Sequence, residues 1–178
     1  MFHFPRRSDS SGPHRSANGP FAPPNCVGAA RHDGWMNDRF RDQGVTRNSF
    51  ALADILVVCP RCASQAVVTP WGANRRLACG SCGHAATRPF SRSVWGPPID
   101  PYFELPLWLR ADCRGHTLWA YNKAHLLYLE QYVSAKLRER GETPGMTMVA
   151  RLPAWLKDAK HRDDVLRALR QLKARIPA

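Results

Sequence analysis

Two cysteine pairs, Cys59-Pro-Arg-Cys62 and Cys79-Gly-Ser-Cys82, lie sixteen residues apart near the middle of this 178-residue sequence. Two residues between paired cysteines allow a tight turn that directs both sulfurs to one point. Two such pairs supply the four ligands of a closed tetrahedral site, which leaves no open position for a substrate. The intervening residues suffice for a strand, a turn and a returning strand. The pattern therefore predicts one structural zinc ion, bound by Cys59, Cys62, Cys79 and Cys82.

The motif resembles the zinc ribbon of transcription factor B type, in which Cys-Pro-x-Cys and Cys-Gly-x-Cys-Gly-His sequences are joined by short strands. The resemblance covers about residues 55–90 and implies a three-stranded ribbon, a fold that also occurs in RNA polymerase subunits and small bacterial proteins. Residues 106–110 and 118–122, Pro-Leu-Trp-Leu-Arg and Leu-Trp-Ala-Tyr-Asn, resemble uncharacterised bacterial zinc-ribbon proteins with a helical C-terminal half. That resemblance implies a fold and not a known activity.

Other interpretations of the cysteines and histidines stay open. Cys-Pro-x-Cys also resembles a glutaredoxin-type redox site, but such sites use one pair and open a helix, whereas the residues after Cys62 favour a strand. His84 could replace a sulfur, although with four cysteines available we expect it to support the site from outside or to face solvent. Cys113 and His116 flank a predicted turn and could form half of a second site. We expect instead a free thiol and a surface histidine.

Composition divides the chain into three regions. Residues 1–48 contain five prolines, many Ser, Gly and Asn and no sustained apolar period, which predicts a disordered, mildly basic tail. Residues 50–95 form the predicted zinc ribbon, with strands expected at 51–58, 65–69 and 75–78. Residues 100–178 are expected to form a β-hairpin and helices. The predicted fold class is α+β: a small three-stranded zinc ribbon, a β-hairpin, two to three C-terminal helices and the tail.

The hairpin and helices are predicted from turn residues and apolar periodicity. Residues 105–110 and 117–121 could pair across Cys113-Arg-Gly-His116. Asn122 is a good N-cap for a helix that ends at Gly141, Pro153 suits the first position of a short helix, and a last helix follows Asp163. The apolar stripes of the two longer helices are Leu126, Leu129, Val133 and Leu137, and Val165, Leu169, Leu172 and Ile176. The aromatic residues Trp108, Trp119, Tyr121, Tyr128 and Tyr132 are expected in the core.

A formal charge of +12 favours an anionic partner, nucleic acid above all. Residues 59–95 contain five arginines and no acid, although the arginines also balance the formal charge of −2 of a zinc ion with four thiolates. Trp71, at the tip of the presumed hairpin, could stack a base or anchor a protein. The candidate nucleic-acid-binding residues are Arg61, Trp71, Arg75, Arg76 and Arg88.

These observations favour a structural zinc protein that binds nucleic acid or the transcription machinery. The alternative is a protein–protein adaptor whose aromatic and helical C-terminal half carries the interface, with the ribbon as scaffold. We expect no enzyme activity, because the sequence contains no nucleophile elbow, phosphate-binding glycine loop or His-Glu-x-x-His motif. The sequence contains no apolar run long enough to span a bilayer and no secretory signal. A cytoplasmic protein without a membrane partner is therefore expected; the oligomeric state is left open.

Overall fold

The computed structural model describes residues 39–90, 98–142 and 145–176, which fold as a mixed α+β unit, so the predicted class is confirmed. No helix in these ranges has the length and apolar character needed to cross a membrane. The elements, in chain order, are β1 (Arg39–Arg41), α1 (Arg47–Ala51), β2 (Ile55–Val58), β3 (Gln65–Trp71), β4 (Asn74–Ala78), β5 (Ala85–Pro89), β6 (Leu109–Cys113), β7 (His116–Ala120), α2 (Lys123–Ser134), β8 (Leu137–Glu139), α3 (Ala154–Lys157), a 3-10 turn (Ala159–His161) and α4 (Arg162–Lys173).

The cysteine pairs are carried by an antiparallel sheet in the order β2-β3-β4-β5. One face is apolar because side chains alternate along each strand: Ile55 pairs with Val68, and Val68 with Leu77, and all three are buried. The expectation of three strands is wrong, since residues 85–89 add a fourth strand along β4. The first strand is also shorter than predicted, because Ala51 belongs to α1 and its side chain is fully buried there.

The four-stranded sheet β2–β5, which we call the ribbon sheet, is continuous with the second part of the chain. The backbone of β2 bonds to residues 106–108 on the side away from β3: Val58 N–H donates to Pro106 O and Trp108 N–H donates to Leu56 O, at 2.8 and 2.9 Å. Buried side chains from both parts, Val57 and Leu107 among them, form a single apolar core. The ribbon therefore stabilises, and is stabilised by, the elements that follow it.

Five consecutive carbonyls, those of residues 50–54, accept hydrogen bonds from side chains of three different segments. Asn122 Nδ2 bonds the first and last, at 3.0 and 2.8 Å, and Tyr102 OH bonds Ala51 O at 3.1 Å. Arg75 of β4 bonds Leu52 O at 2.9 Å and Ala53 O at 3.3 Å. Carbonyls that the short helix α1 leaves unpaired thus join β4, the segment at Tyr102 and the N-terminus of α2.

The hairpin and α2 are present, with changed bounds. Strands β6 and β7 pair from Leu109–Ala120 to Cys113–His116, so the hairpin starts later than predicted. Asn122 caps α2 as expected, its Oδ1 accepting from His125 N–H at 2.9 Å. The helix ends at Ser134 and not at Gly141, because Ala135 is extended and residues 137–139 form β8. Leu137 is consequently 55% exposed and not part of the buried stripe.

Strand β8 pairs in parallel with β1, which lies about a hundred residues earlier. The expected disordered tail is therefore wrong for residues 39–48, which contain β1 and the start of α1; residues 1–38 lie outside the described part of the chain. Gly141 is required at this junction, since a Cβ there would clash with the carbonyl oxygen of Asp42. Pairing with a distant strand thus orders a segment that has no local apolar period.

The remaining helices follow the predicted pattern closely. Pro153 precedes α3 as its N-cap, one position earlier than predicted. Helix α4 begins at Arg162 and buries Val165, Leu169 and Leu172 against the core. The predicted core aromatics are buried or half-buried and pack against the apolar cluster, as expected. The aromatic side chains of the C-terminal half therefore contribute mainly to the core.

Candidate metal centre

The two cysteine turns have the same backbone structure. In the first, Cys59 N–H donates to Ser64 O at 2.8 Å and Ala63 N–H donates to Cys59 O at 3.0 Å. In the second, Cys79 bonds His84 and Gly83 in the same way and at the same distances. Each turn connects neighbouring strands, β2 to β3 and β4 to β5. The sheet therefore places two equivalent loops side by side at one end.

These loops bring the four sulfurs together. All four lie within 4.8 Å of one another, with 3.7 Å between the sulfurs of Cys59 and Cys82 and 3.6 Å between those of Cys62 and Cys79. Tetrahedral coordination with metal–sulfur bonds of about 2.3 Å places the sulfurs about 3.8 Å apart. A disulfide would need about 2 Å. The spacing fits one metal ion, and these two contacts each join one cysteine pair to the other.

The thiols of Cys62 and Cys82 differ in pKa. Hydrogen bonds from the side chain and backbone of Ser64 lower the pKa of Cys62 to about 6. At Cys82 the backbone hydrogen bond from His84 lowers the pKa, but hydrogen bonds shared with the other three cysteines and partial desolvation together outweigh it, and the pKa rises to about 12. Neighbouring thiolates oppose each other's ionisation, so all four become anionic together only when a cation lies between them. Arg61 N–H adds a bond to Cys59 Sγ, at 3.4 Å.

The burial of the ligands differs within each pair. Cys59 and Cys79 are 2% and 4% exposed, whereas Cys62 and Cys82 reach the surface. The first cysteine of each pair is therefore anchored in the core and the second closes the site from outside. Because four protein ligands leave no open position, the arrangement suits a structural metal ion and not a catalytic one.

The fifth residue of each cysteine turn has a left-handed backbone, with φ of +56° at Ala63 and +70° at Gly83. Alanine in this region costs about 1–2 kcal/mol, and glycine about nothing. We expect Gly83→Ala to lower the free energy of unfolding by about 1 kcal/mol. We expect Ala63→Gly to raise it by only about 0.5 kcal/mol, because the greater flexibility of the unfolded glycine chain offsets part of the relieved backbone strain.

Urea unfolding of the metal-loaded variants checks this pair. No atom lies within 4 Å of a Cβ built at Gly83, so a new clash would not explain the loss. If both substitutions destabilised the protein equally, backbone strain would not be their cause.

The other histidine and cysteine candidates lie outside the metal group. Among the described residues, the four cysteines are the single cluster with metal-binding geometry, and His84 is not part of it. Cys113 is buried and, chiefly because of that burial, its pKa is raised. His116 is exposed and stacks on Trp155 with ring centroids 4.8 Å apart. The half-site that these two residues could have formed is not assembled.

Four of the five candidate nucleic-acid-binding residues are divided between the two faces of the sheet, and the fifth lies in the first cysteine turn. Trp71 is 56% exposed, and the Arg76 guanidinium lies 4.8 Å from the centroid of its ring. Arg75 and Arg88 pair with each other in register and belong to the opposite face. Arg88 is exposed and packs over Phe103, and Arg61 is exposed in the first cysteine turn.

Arg75 is a correction to the candidate set. It is 3% exposed, its guanidinium bonds the carbonyls of residues 52 and 53, and it lies 4.3 Å from the centroid of Tyr102. These contacts leave it no surface for a phosphate. Arg75 is therefore a structural residue.

Trp71 and Arg76 belong to a polar surface, which we call the outer face. Thr69, Arg76 and Thr87 lie side by side on β3, β4 and β5, and Trp71 is two residues beyond Thr69 on the same side. No acid occurs between Asp54 and Asp100 in the sequence. Among the described residues, none of the ion pairs involves Arg61, Arg76 or Arg88. Their charges are available to an anionic partner.

Sequence reasoning missed several buried polar residues of the described part, among them Asp100 and His125. The Asp100 carboxylate is fully buried and accepts from the backbone N–H groups of Tyr102, Phe103 and Leu105. The signal was Asp100-Pro101, a typical start of a turn. His125 is 1% exposed within α2, and it gave no signal, because a histidine in an apolar helix stripe is not distinctive.

Comparisons with protein-family models, curated proteins and solved structures found no match to this chain. What the chain does is therefore argued from its own geometry: a cysteine cluster able to bind a metal ion, on a sheet with an acid-free outer face.

Proposed function

We propose that the chain is a structural zinc protein that binds single-stranded nucleic acid on the outer face of its ribbon sheet. Zinc is the metal proposed, since it prefers a closed tetrahedral set of thiolates and needs no open ligand position. The resemblance of the two cysteine pairs to a transcription-factor-type zinc ribbon supports the same assignment. An association with the transcription machinery is a finer proposal and rests on that resemblance.

The observation that carries the nucleic-acid proposal is the pairing of exposed Trp71 with Arg76 on a face without acids. An indole ring can stack on any base, and a guanidinium beside it can contact the adjoining phosphate. Threonine hydroxyls at positions 69 and 87 add hydrogen-bonding groups next to Arg76. A sheet face with an exposed aromatic residue and a neighbouring cation suits an unpaired strand, whose bases are free to stack.

The adaptor alternative has less support. It depends on the aromatic residues of the C-terminal half, and Tyr121 and Tyr132 are buried in the core while Trp108 and Trp119 pack against it. A protein partner on the ribbon would instead have to use Trp71 itself. The oligonucleotide-binding experiment that follows therefore tests whether Trp71 binds nucleic acid or is left for a protein partner.

We expect Trp71→Ala to weaken binding of a fluorescein-labelled single-stranded oligonucleotide by about 5- to 150-fold, the range for loss of one stacked base. Arg76→Ala should weaken it less, and should reduce the slope of log affinity against log salt by about 0.7, the value for one phosphate contact to a single strand. Fluorescence anisotropy across a salt series measures both quantities.

The control is Arg170→Ala, which removes an exposed charge from α4, outside the ribbon sheet. It should leave affinity and salt slope near their wild-type values. Equal losses in the Trp71, Arg76 and Arg170 variants would indicate diffuse charge attraction and contradict a site on the outer face. Failure of the wild-type protein to bind the oligonucleotide at low salt would also contradict this site.

A further inference from the structure

The end of strand β5 is exposed on both faces of the ribbon sheet. Residues 87–90 are all exposed, although consecutive side chains of a strand point to opposite faces. Thr87 pairs in register with exposed Arg76 on the outer face, whereas Arg88 pairs with Arg75, which is buried. This end of β5 therefore projects beyond the core, and a ligand has access to it from either side.

A second exposed aromatic residue, Phe90, lies directly after β5. Its side chain is 45% exposed, comparable with 56% for Trp71. The ring packs against buried Tyr102, with ring centroids 5.6 Å apart, and the Arg75 guanidinium carbon lies 5.6 Å from its centroid. Because both neighbours belong to the buried side of the sheet, Phe90 and Trp71 lie on opposite faces. An exposed ring that is supported from behind is suited to stacking on a base.

The strand register connects the two aromatic residues across the sheet. On the outer face the Arg76 guanidinium carbon lies 4.8 Å from the centroid of Trp71. Trp71 pairs with Asn74, and Asn74 pairs with Pro89, the residue before Phe90. Two steps between neighbouring strands, about 10 Å in total, therefore separate the two positions. This distance lies within the reach of one short nucleic-acid segment.

The free edge of β5 lies on the route from one face to the other. Strand β5 is the last strand of the ribbon sheet. Phe90 N–H donates to Ala73 O, so the residues of β5 that alternate with Phe90 bond to β4, and Thr87 N–H points to the free edge. Backbone N–H groups are common donors to phosphates. None of the ion pairs between described residues includes Arg88, which follows on the other face.

We propose that a bound single strand passes around the free edge of β5 and stacks one base on Trp71 and another on Phe90. The phosphates between these bases contact Arg76, Thr87 N–H and Arg88 in turn. The ligand class is an unpaired segment of several nucleotides, because paired bases stay stacked in a duplex and are not available to two rings on opposite faces. This site extends the Trp71 site and so rests on the proposed function.

The test measures fluorescence anisotropy of the full metal-loaded chain with a fluorescein-labelled oligothymidylate of about eight nucleotides, a length within the site sizes of small nucleic-acid-binding folds. Phe90→Ala should weaken binding about 5- to 150-fold, the range for loss of one stacked base. Arg88→Ala should reduce the slope of log affinity against log salt by about 0.7, the value for one phosphate contact. One oligonucleotide should bind per chain, since a single strand contacts both rings.

Two further substitutions separate stacking from a structural role of Phe90. Phe90→Leu keeps an apolar contact with Tyr102 but has no ring, so it should bind as weakly as Phe90→Ala. Phe90→Trp keeps a ring and should bind at least as tightly as the wild type. A structural role would give the reverse order, with near-normal binding in the leucine variant. Leu137→Ala is the matched control, because Leu137 is 55% exposed but lies on β8, and its affinity should be unchanged.

The extended site and the outer-face site fail in different ways. If Trp71→Ala weakened binding while every Phe90 variant bound like the wild type, the outer-face site would stand and the route around β5 would be refuted. Two oligonucleotides per chain would also refute that route. If the wild-type protein did not bind the oligothymidylate at low salt, both proposals would be wrong.

Discussion

Replacing Cys79 with serine is expected to abolish stoichiometric metal binding and to unfold the ribbon sheet at room temperature. Structural zinc sites contribute about 10–16 kcal/mol of apparent binding free energy, and whole domains are stable by only about 5–15 kcal/mol. Cys79 is 4% exposed and directly follows β4, so its loss affects the metal and the sheet together. A chelator strong enough to remove the ion should give the same result in the unmutated protein.

Cys113→Ser is the matched control for this experiment. Cys113 is also a buried thiol at the end of a strand, but it lies outside the metal group. Its replacement should keep full metal content and cost about 1 kcal/mol for burying a hydroxyl. Elemental analysis gives the metal and its stoichiometry, and thermal unfolding gives the stability. If the Cys79→Ser and Cys113→Ser proteins unfolded at the same temperature, a structural metal centre would be contradicted.

Elemental analysis also distinguishes the possible metals. One zinc ion per chain is expected; one iron ion would keep the geometry and change the metal, since four thiolates also suit iron. The number of reactive thiols per chain should be higher by four after chelation than before it. Cysteines that cycled between dithiol and disulfide with no metal bound would support the redox interpretation and contradict both the zinc and the iron assignment.

The cluster of four cysteines could be predicted because its arrangement is a local property. Two residues between cysteines fix a turn, and the sixteen residues between pairs leave room for the returning strands that bring the turns together. The apolar stripe of α4 and the N-cap at Asn122 were predicted for the same reason, since each depends on residues within a few turns. Local spacing rules were sufficient for these features.

Features that depend on distant partners could not be predicted. Strand β1 is ordered by pairing with β8, and no sequence pattern in residues 39–41 marks that pairing. The end of α2 was placed seven residues too late, because the residues of β8 continue an acceptable helical pattern until their pairing is known. Asp100 and His125 are similar cases, since burial was decided by residues elsewhere in the chain.

The neighbouring arginines of β4 illustrate the same limit most directly. Arg75 and Arg76 are indistinguishable by composition, and both were candidates for nucleic-acid binding. Strand alternation requires that they point to opposite faces, but the buried face is fixed only by the pairing of Val68 with Leu77. The structure assigns Arg75 to the core and Arg76 to solvent.

Because Arg75 is buried, its replacement is expected to have the second large effect on stability. Arg75→Ala should lower the free energy of unfolding by about 3 kcal/mol, because it removes two hydrogen bonds from a charged donor and a stacked contact with Tyr102. The carbonyls of Leu52 and Ala53 lose their side-chain donors, and the link between the ribbon sheet and α1 is weakened. Arg75→Lys should recover little of this loss, since one ammonium cannot reproduce the planar guanidinium.

Arg76→Ala is the adjacent control, and the two variants should show opposite behaviour. Losing exposed Arg76 should change stability by less than about 0.5 kcal/mol, the usual range for a surface position, while oligonucleotide affinity falls. The Arg75 variant should keep its affinity wherever it is still folded. Urea unfolding and anisotropy on the same samples test both residues at once. A folded Arg75→Ala protein with normal stability and weakened oligonucleotide binding would reverse the assignment, because the buried guanidinium would then be a ligand group and not a link in the fold.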